Sequence, residues 1–266
     1  MSGPLASLAE VVAAEWLKLR STRTMLMLSI VALVLTAAPV VLMLSFLEGG
    51  DFADGGETFM VLTIPGAVVG LMMLVAGVLG MAGEFRHGTI TYTFLATPRR
   101  ERVILLKLGF YFVAGGVAAV VTLLLIQLLA TIVLPIRGIA IVYPEGEAWA
   151  HCGRLVLTTA LFGAFGVALS ALLRSQVLTV TLTLVWVVLE WMILPMILAV
   201  AGHPRYAIVL PLTVFLQATG LPTLGGGESE LADFYMSAGQ AQLLGLAYIA
   251  VAAIAATMTT MRRDVT

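Results

Sequence analysis

The stretch MLMLSIVALVLTAAPVVLMLSFL, residues 25–47, carries no charged side chain from end to end. A helix of roughly 20 apolar residues crosses the hydrocarbon core of a bilayer. Five further stretches repeat this pattern, at about 59–82, 108–134, 152–173, 177–201 and 240–261. The weakest boundary is Arg174-Ser175-Gln176, a short polar break that suits a tight hairpin between two antiparallel spans. A seventh apolar patch, 207–221, is too short to cross and contains Pro211. It reads as a re-entrant or interfacial half-helix. The fold expected is therefore an all-α polytopic membrane protein with six transmembrane helices.

Composition agrees. Of 266 residues, 61% are apolar and 11% charged, and the mean hydropathy is +1.07. Soluble domains run at about 45–50% apolar and about 25% charged. Too few polar side chains remain to cover a soluble surface of this size. These figures exclude a soluble enzyme, a disordered chain and a nucleic-acid-binding protein. The single cysteine, Cys152, leaves no internal disulfide, and His87, His151 and His203 show no ligand spacing. The first apolar run follows a charged amphipathic segment and lacks an A-x-A site at its end. It reads as a retained span, not a cleaved signal.

The net charge of −1 conceals a polarised molecule. With six spans, one side carries Lys18, Arg20, Arg23, Arg86, Arg99, Arg100, Arg102, Lys107, Arg174, Arg262 and Arg263. The other side has only Arg137, Arg154 and Arg205 among its bases, together with Glu48, Asp51, Asp54, Glu57, Glu145, Glu147, Glu228, Glu230 and Asp233. Basic residues mark the cytoplasmic side. Both termini are expected in the cytoplasm of a multi-pass protein of the plasma (inner) membrane, with an acidic outer face.

Residues 1–24 precede the first span. Over 5–20, helical spacing puts Leu5, Leu8, Ala9, Val12, Trp16 and Leu19 on one face, and Ser7, Glu10 and Lys18 opposite. An apolar stripe centred on Trp16, on a helix that also carries Lys18 and Arg20, describes an amphipathic helix in the cytoplasmic interface.

The connection GEFRHGTITYTFLATPRRERVILLK, 83–107, is the most patterned polar segment. Gly83 and Gly88 permit sharp turns, and 89–96 suits a short helix across the membrane surface. Thr97-Pro98 restarts a helix with an N-cap, a proline at the first helical position and Glu101 in the first turn. A short element continuous with two spans is built to receive force from a soluble partner. Its arginines also fix topology.

Two segments, EWLKLRSTRT (15–24) and GEFRHGTITYTFLATPRRERVILLKL (83–108), resemble the permease subunits of ATP-binding-cassette transporters of the type-2 exporter class. In that family a cytoplasmic connecting helix precedes six spans. A glutamate, a Gly-Thr pair and a Pro-Arg pair mark its coupling loop, matched here by Glu84, Gly88-Thr89 and Pro98-Arg99. Arg86, Thr97 and Lys107 fit the same frame. The resemblance implies a separate cytoplasmic ATPase docking on 84–97, with ATP and magnesium bound on that partner and no cofactor in this chain. It further implies a second permease copy, identical or related, and short re-entrant helices near the outer face within 202–239. The chain contains no G-x-x-x-x-G-K-[ST] phosphate loop, and its only lysines are Lys18 and Lys107. It is expected to be a transport subunit, not an enzyme.

Inside the membrane, Glu190 is the conspicuous charge, lying beyond the middle of the fifth span in WVVLEW. It shares a helical stripe with Thr179, Thr183, Trp186 and Ile197. Intramembrane acids mark pathways or find internal partners. In the resembled family the second and fifth spans line the central path, which makes Thr179, Thr183, Trp186 and Glu190 the pathway candidates, suited to a cationic or amphipathic cargo. The structural alternative is a protonated Glu190, or one bonded to a polar neighbour such as Gln127. Arg154 is expected to snorkel to the headgroups. Gly66, Gly70, Gly77 and Gly80 suit close helix packing, within one chain or between copies. Other classes remain open: an ATP-independent channel or assembly factor, or a membrane-embedded enzyme using Glu190, which would lack a second intramembrane carboxylate. No motif selects a cargo.

Overall fold

The computed structural model describes residues 8–46, 56–90, 100–136, 147–220 and 235–261. Every regular element among them is helical. In a bilayer the backbone must satisfy its own hydrogen bonds within each segment, and helices do so. A short α1 (Leu8–Ser21) leads into α2 (Arg23–Phe46), followed by α3 (Gly56–Arg86), α4 (Arg100–Ile136) and α5 (Glu147–Leu173). The next long segment is α6 (Gln176–Val188), a π turn (Leu189–Ile193) and α7 (Leu194–Val200). A 3-10 turn (Pro204–Val209) and α8 (Pro211–Ala218) precede α9 (Ala238–Met261). Six helical segments are long and apolar enough to cross a membrane: Arg23–Phe46, Ile64–Arg86, Glu101–Ile136, Trp149–Leu173, Gln176–Val200 and Ala238–Thr259.

The spans lie where the apolar runs place them, with one difference. α3 runs on to Arg86 and α4 is already helical at Arg100. At 1.5 Å per residue, the 37-residue α4 is about 55 Å long, well beyond the hydrocarbon core. The head of α4 is therefore already helical before the apolar run that begins near residue 108. Thr97, Pro98 and Arg99 lie outside the described residues, as does the stretch 91–96 on which a surface helix is expected.

α5 is the central post, packed against α3, α4 and α9. Its most apolar window is 78% buried, against 11% for the first span and 17% for the fifth. The glycines of the second span explain how α3 comes so close. A Cβ at Gly77 would overlap the Gly163 carbonyl oxygen of α5, and one at Gly80 would overlap the Tyr111 ring of α4. Gly66 meets Leu155 and Gly70 meets Phe162 in the same way. All four serve packing inside this chain.

The break at Arg174-Ser175 joins α5 to α6 directly. Arg174 takes a left-handed φ of 55°, and Ser175 caps α6 by accepting from the Leu178 N–H. The two helices are not a close antiparallel pair, however. α6 leans onto α3 and diverges from α5, leaving a wedge between them.

Candidate functional site

Two buried carboxylate centres stand out. The first lies where α3 ends and α4 begins. Lys107 Nζ donates to Glu15 Oε1 at 2.6 Å and pairs with Glu84 Oε1 at 2.9 Å. Lys18 Nζ pairs with Glu15 Oε1 at 2.9 Å and also contacts Glu84 Oε1. Both lysines of the chain thus alternate with two glutamates in a neutral quartet spanning α1, α3 and α4. Glu15, Glu84 and Lys107 are almost wholly buried, while Lys18 is half-exposed at the rim. Glu15 Oε2 and Glu84 Oε2 have no hydrogen-bond partner among the described residues. Burial alone would lower the Lys18 ammonium, but hydrogen bonds and charge from Glu15 and Glu84 hold it above its ordinary value.

The quartet explains how α1 sits. Glu15 faces inward, with Lys18 and Leu19 partly buried beside it, whereas Val12, Trp16 and Leu17 are exposed. Leu19 thus leaves the apolar stripe expected of it and joins the core, and Leu17 takes a place on the outward apolar face. Arg20 is exposed.

The coupling candidates divide. Glu84 does not present its carboxylate for contact; it is ion-paired inside. Arg86, Gly88 and Thr89 are exposed just beyond it, with Gly88 at a left-handed φ of 66° where the chain turns. Arg86 Nη1 approaches Gln176 Oε1 at 3.5 Å, bringing the end of α3 to the start of α6. Glu15 is the member of this cluster that motif reading passed over. Its signal was available: only two lysines exist, and each has a glutamate in the same two patterned segments.

The second centre is Glu190. It lies in the π turn, 1% exposed, and its Oε1 accepts the Thr213 N–H at 2.6 Å. Thr213 is in the first turn of α8, whose N-cap residue Leu210 offers no side-chain cap. Glu190 therefore caps α8 from another helix, at the end where the backbone dipole is positive. Glu190 Oε2 has no hydrogen-bond partner among the described residues. At the other end of α8, a Cβ on Gly220 would lie 3.2 Å from Arg154 Nε. Arg154 thus sits at the negative end of the short helix instead of reaching freely outward. Buried Gln217 completes the fastening: it donates to the Ile208 carbonyl at 2.8 Å and accepts the Met236 N–H at 3.1 Å.

Of the stripe, Thr179 is buried and donates to the Ser175 carbonyl at 2.7 Å, so it faces no open space. Thr183 and Trp186 line a cavity of about 290 Å³ in the wedge between α5 and α6. Leu74 of α3, Phe162, Phe165, Leu169 and Leu173 of α5, Leu182 and Val187 of α6, and Pro211, Leu212 and Phe215 of α8 complete it. Glu190 is not in the lining, although Trp186 faces its carboxylate. Among the described residues, no group of three or more His, Cys, Asp or Glu is placed to hold a metal ion. Compared with known proteins, the chain matches no family model and no curated sequence.

Proposed function

We propose that this chain is the membrane-spanning permease subunit of an ATP-binding-cassette exporter in the plasma (inner) membrane, with both termini cytoplasmic. It works with a separate cytoplasmic ATPase, which binds ATP and magnesium, and with a second permease copy. The observation that carries this reading is the quartet of Glu15, Lys18, Glu84 and Lys107. It ties α1 to the two helices that bracket the patterned 87–99 connection. Force applied to that connection moves the end of α3, the head of α4 and α1 together. Val12, Trp16 and Leu17, exposed on α1, suit contact with lipid at the interface. Arg86, Gly88, Thr89, Thr97, Pro98 and Arg99 are the contact residues for the ATPase. Glu84 acts from behind them as a positioning residue.

From the basic end, movement of α3 reaches α6 through Arg86 and Gln176, and the wedge between α5 and α6 through Leu74. α8, held by Glu190 and Gln217, is the re-entrant element that closes the wedge from the outer side. Thr183 and Trp186 are the pathway residues, with Thr179 and Glu190 supporting them.

The test is deletion of Gly88–Ala96 in a complex reconstituted with its ATPase. Membrane insertion is expected to persist while export and its stimulation of ATP hydrolysis are lost. A deleted complex that still couples ATP use to export overturns the proposal.

A further inference from the structure

The wedge cavity has a floor and a mouth of different character. Phe162, Phe215, Leu74 and Leu212 are each no more than 5% exposed and form the floor, whereas Leu182 and Trp186 flank the mouth at 45% and 41% exposed. The floor is aromatic: Phe162 and Phe215 stack at 4.5 Å between centroids, and Phe165 tilts against Phe215 at 5.3 Å. Among the described residues, no charged side chain lines the space. A charged guest would lose its hydration without gaining an ion-pair partner, because the Glu190 carboxylate is outside the lining and is engaged by Thr213.

One hydroxyl interrupts the apolar lining. Thr183 is 7% exposed, and its side chain forms no hydrogen bond among the described residues, whereas Thr179 one turn earlier donates back to its own helix. Thr183 is the lining residue that carries a hydroxyl, a donor suited to an acceptor on a guest. At about 290 Å³ the space lies at the small end of ligand pockets, which run from roughly 300 to 1,000 Å³.

We propose that this cavity is a binding site for a compact, neutral aromatic molecule with one hydrogen-bond acceptor, which enters from the bilayer between Leu182 and Trp186 and accepts from the Thr183 hydroxyl. Aromatic rings pack against the Phe162–Phe215 stack with the offset geometry such rings prefer. The inference deepens the pathway reading of Thr183 and Trp186. It places the guest inside a single chain and makes it neutral, where the fifth-span acid alone suggests a cation.

Binding needs neither ATPase nor export, so its failure and the failure of the exporter reading are distinguishable. The probe is benzophenone, a neutral aromatic ketone that on irradiation adds a neighbouring C–H bond across its carbonyl. With the purified chain in lipid nanodiscs, saturable labelling is expected on peptides carrying Phe165, Leu182 and Leu212, displaced by excess fluorenone. Thr183→Val keeps the shape and removes the donor, so half-saturation should rise about fivefold. Leu212→Trp fills the floor and should abolish the saturable labelling. Should that variant not elute as wild type does, Leu182→Trp narrows the mouth and should weaken labelling at least tenfold. Labelling that never saturates and spreads over the outward-facing Leu124, Leu246 and Val251 overturns the site. An unchanged half-saturation in Thr183→Val overturns the role of the acceptor.

Discussion

The ammonium of Lys107 lies 2.6 Å from the carboxylate of Glu15, although 92 positions separate them in the chain and both are almost wholly buried. A buried pair of this kind contributes little net stability, because desolvation offsets attraction, but removing one member strands the other. Lys107→Met should leave Glu15 and Glu84 sharing only the half-exposed Lys18 and destabilise the fold by about 3–5 kcal/mol. The double variant Glu15→Gln/Lys107→Met retains a balanced Glu84–Lys18 pair. Its loss should fall well short of the sum of the single losses, as coupled neighbours behave. Thermal unfolding of the four proteins in detergent checks this; strict additivity would show that the two residues do not interact.

Lys18 supplies the alkaline limit of the same cluster. Its folded value is raised above 10.5 by Glu15 and Glu84, so the stability it contributes is complete below the ordinary lysine range. That contribution is lost as pH rises through the folded value. The difference in melting temperature between wild type and Lys18→Met should therefore be flat from about pH 7 to about pH 9.5 and shrink above about pH 10.5. Lys18 is 44% exposed, so the whole effect is small and decreases further with salt. A difference that collapses near neutrality would assign the transition to another group.

The spans were legible because lipid imposes a length and an apolarity on any helix that crosses it. The break at Arg174-Ser175, the interruption at Pro211 and the small faces of the second span could all be read in place. The quartet could not, because its members are 66 and 92 positions apart and helical periodicity places a residue on a face without naming what it meets. Thr183 and Glu190 show the same limit from the other side. Their stripe was visible, but the splay of α6 from α5 divides it, turning Thr183 toward the cavity and Glu190 toward α8.

Glu190 is expected to behave as a cap. Glu190→Gln retains an acceptor for the Thr213 N–H and should change the local stability of α8 only modestly. Glu190→Leu removes the acceptor at a helix start that has no other side-chain cap, a loss of about 0.5–2 kcal/mol. Amide hydrogen exchange over 211–218 should accelerate roughly 2- to 30-fold in Glu190→Leu, with exchange elsewhere unchanged. Equal protection of α8 in both variants would detach Glu190 from this role.

The two kinds of glycine in α3 and α4 should respond oppositely to the same substitution. Gly77 faces the Gly163 carbonyl and the Val167 N–H, both backbone groups that cannot rotate away, so Gly77→Ala must separate α3 from α5. Overpacking of this sort costs about 1–3 kcal/mol, and here it acts on the central post of the bundle. Separation would also relax the lean of α6 on α3 and alter the wedge lined by Leu74 and Thr183. At Gly109, in the interior of α4, an added Cβ meets no packing neighbour within 4 Å among the described residues. There alanine relieves the backbone entropy of glycine, and Gly109→Ala should be neutral or stabilising by up to about 1 kcal/mol. Melting temperatures should thus move down for Gly77→Ala and hold or rise for Gly109→Ala. If both fall together, general sensitivity of the helices, and not backbone contact at Gly77, governs the packing of α3 on α5.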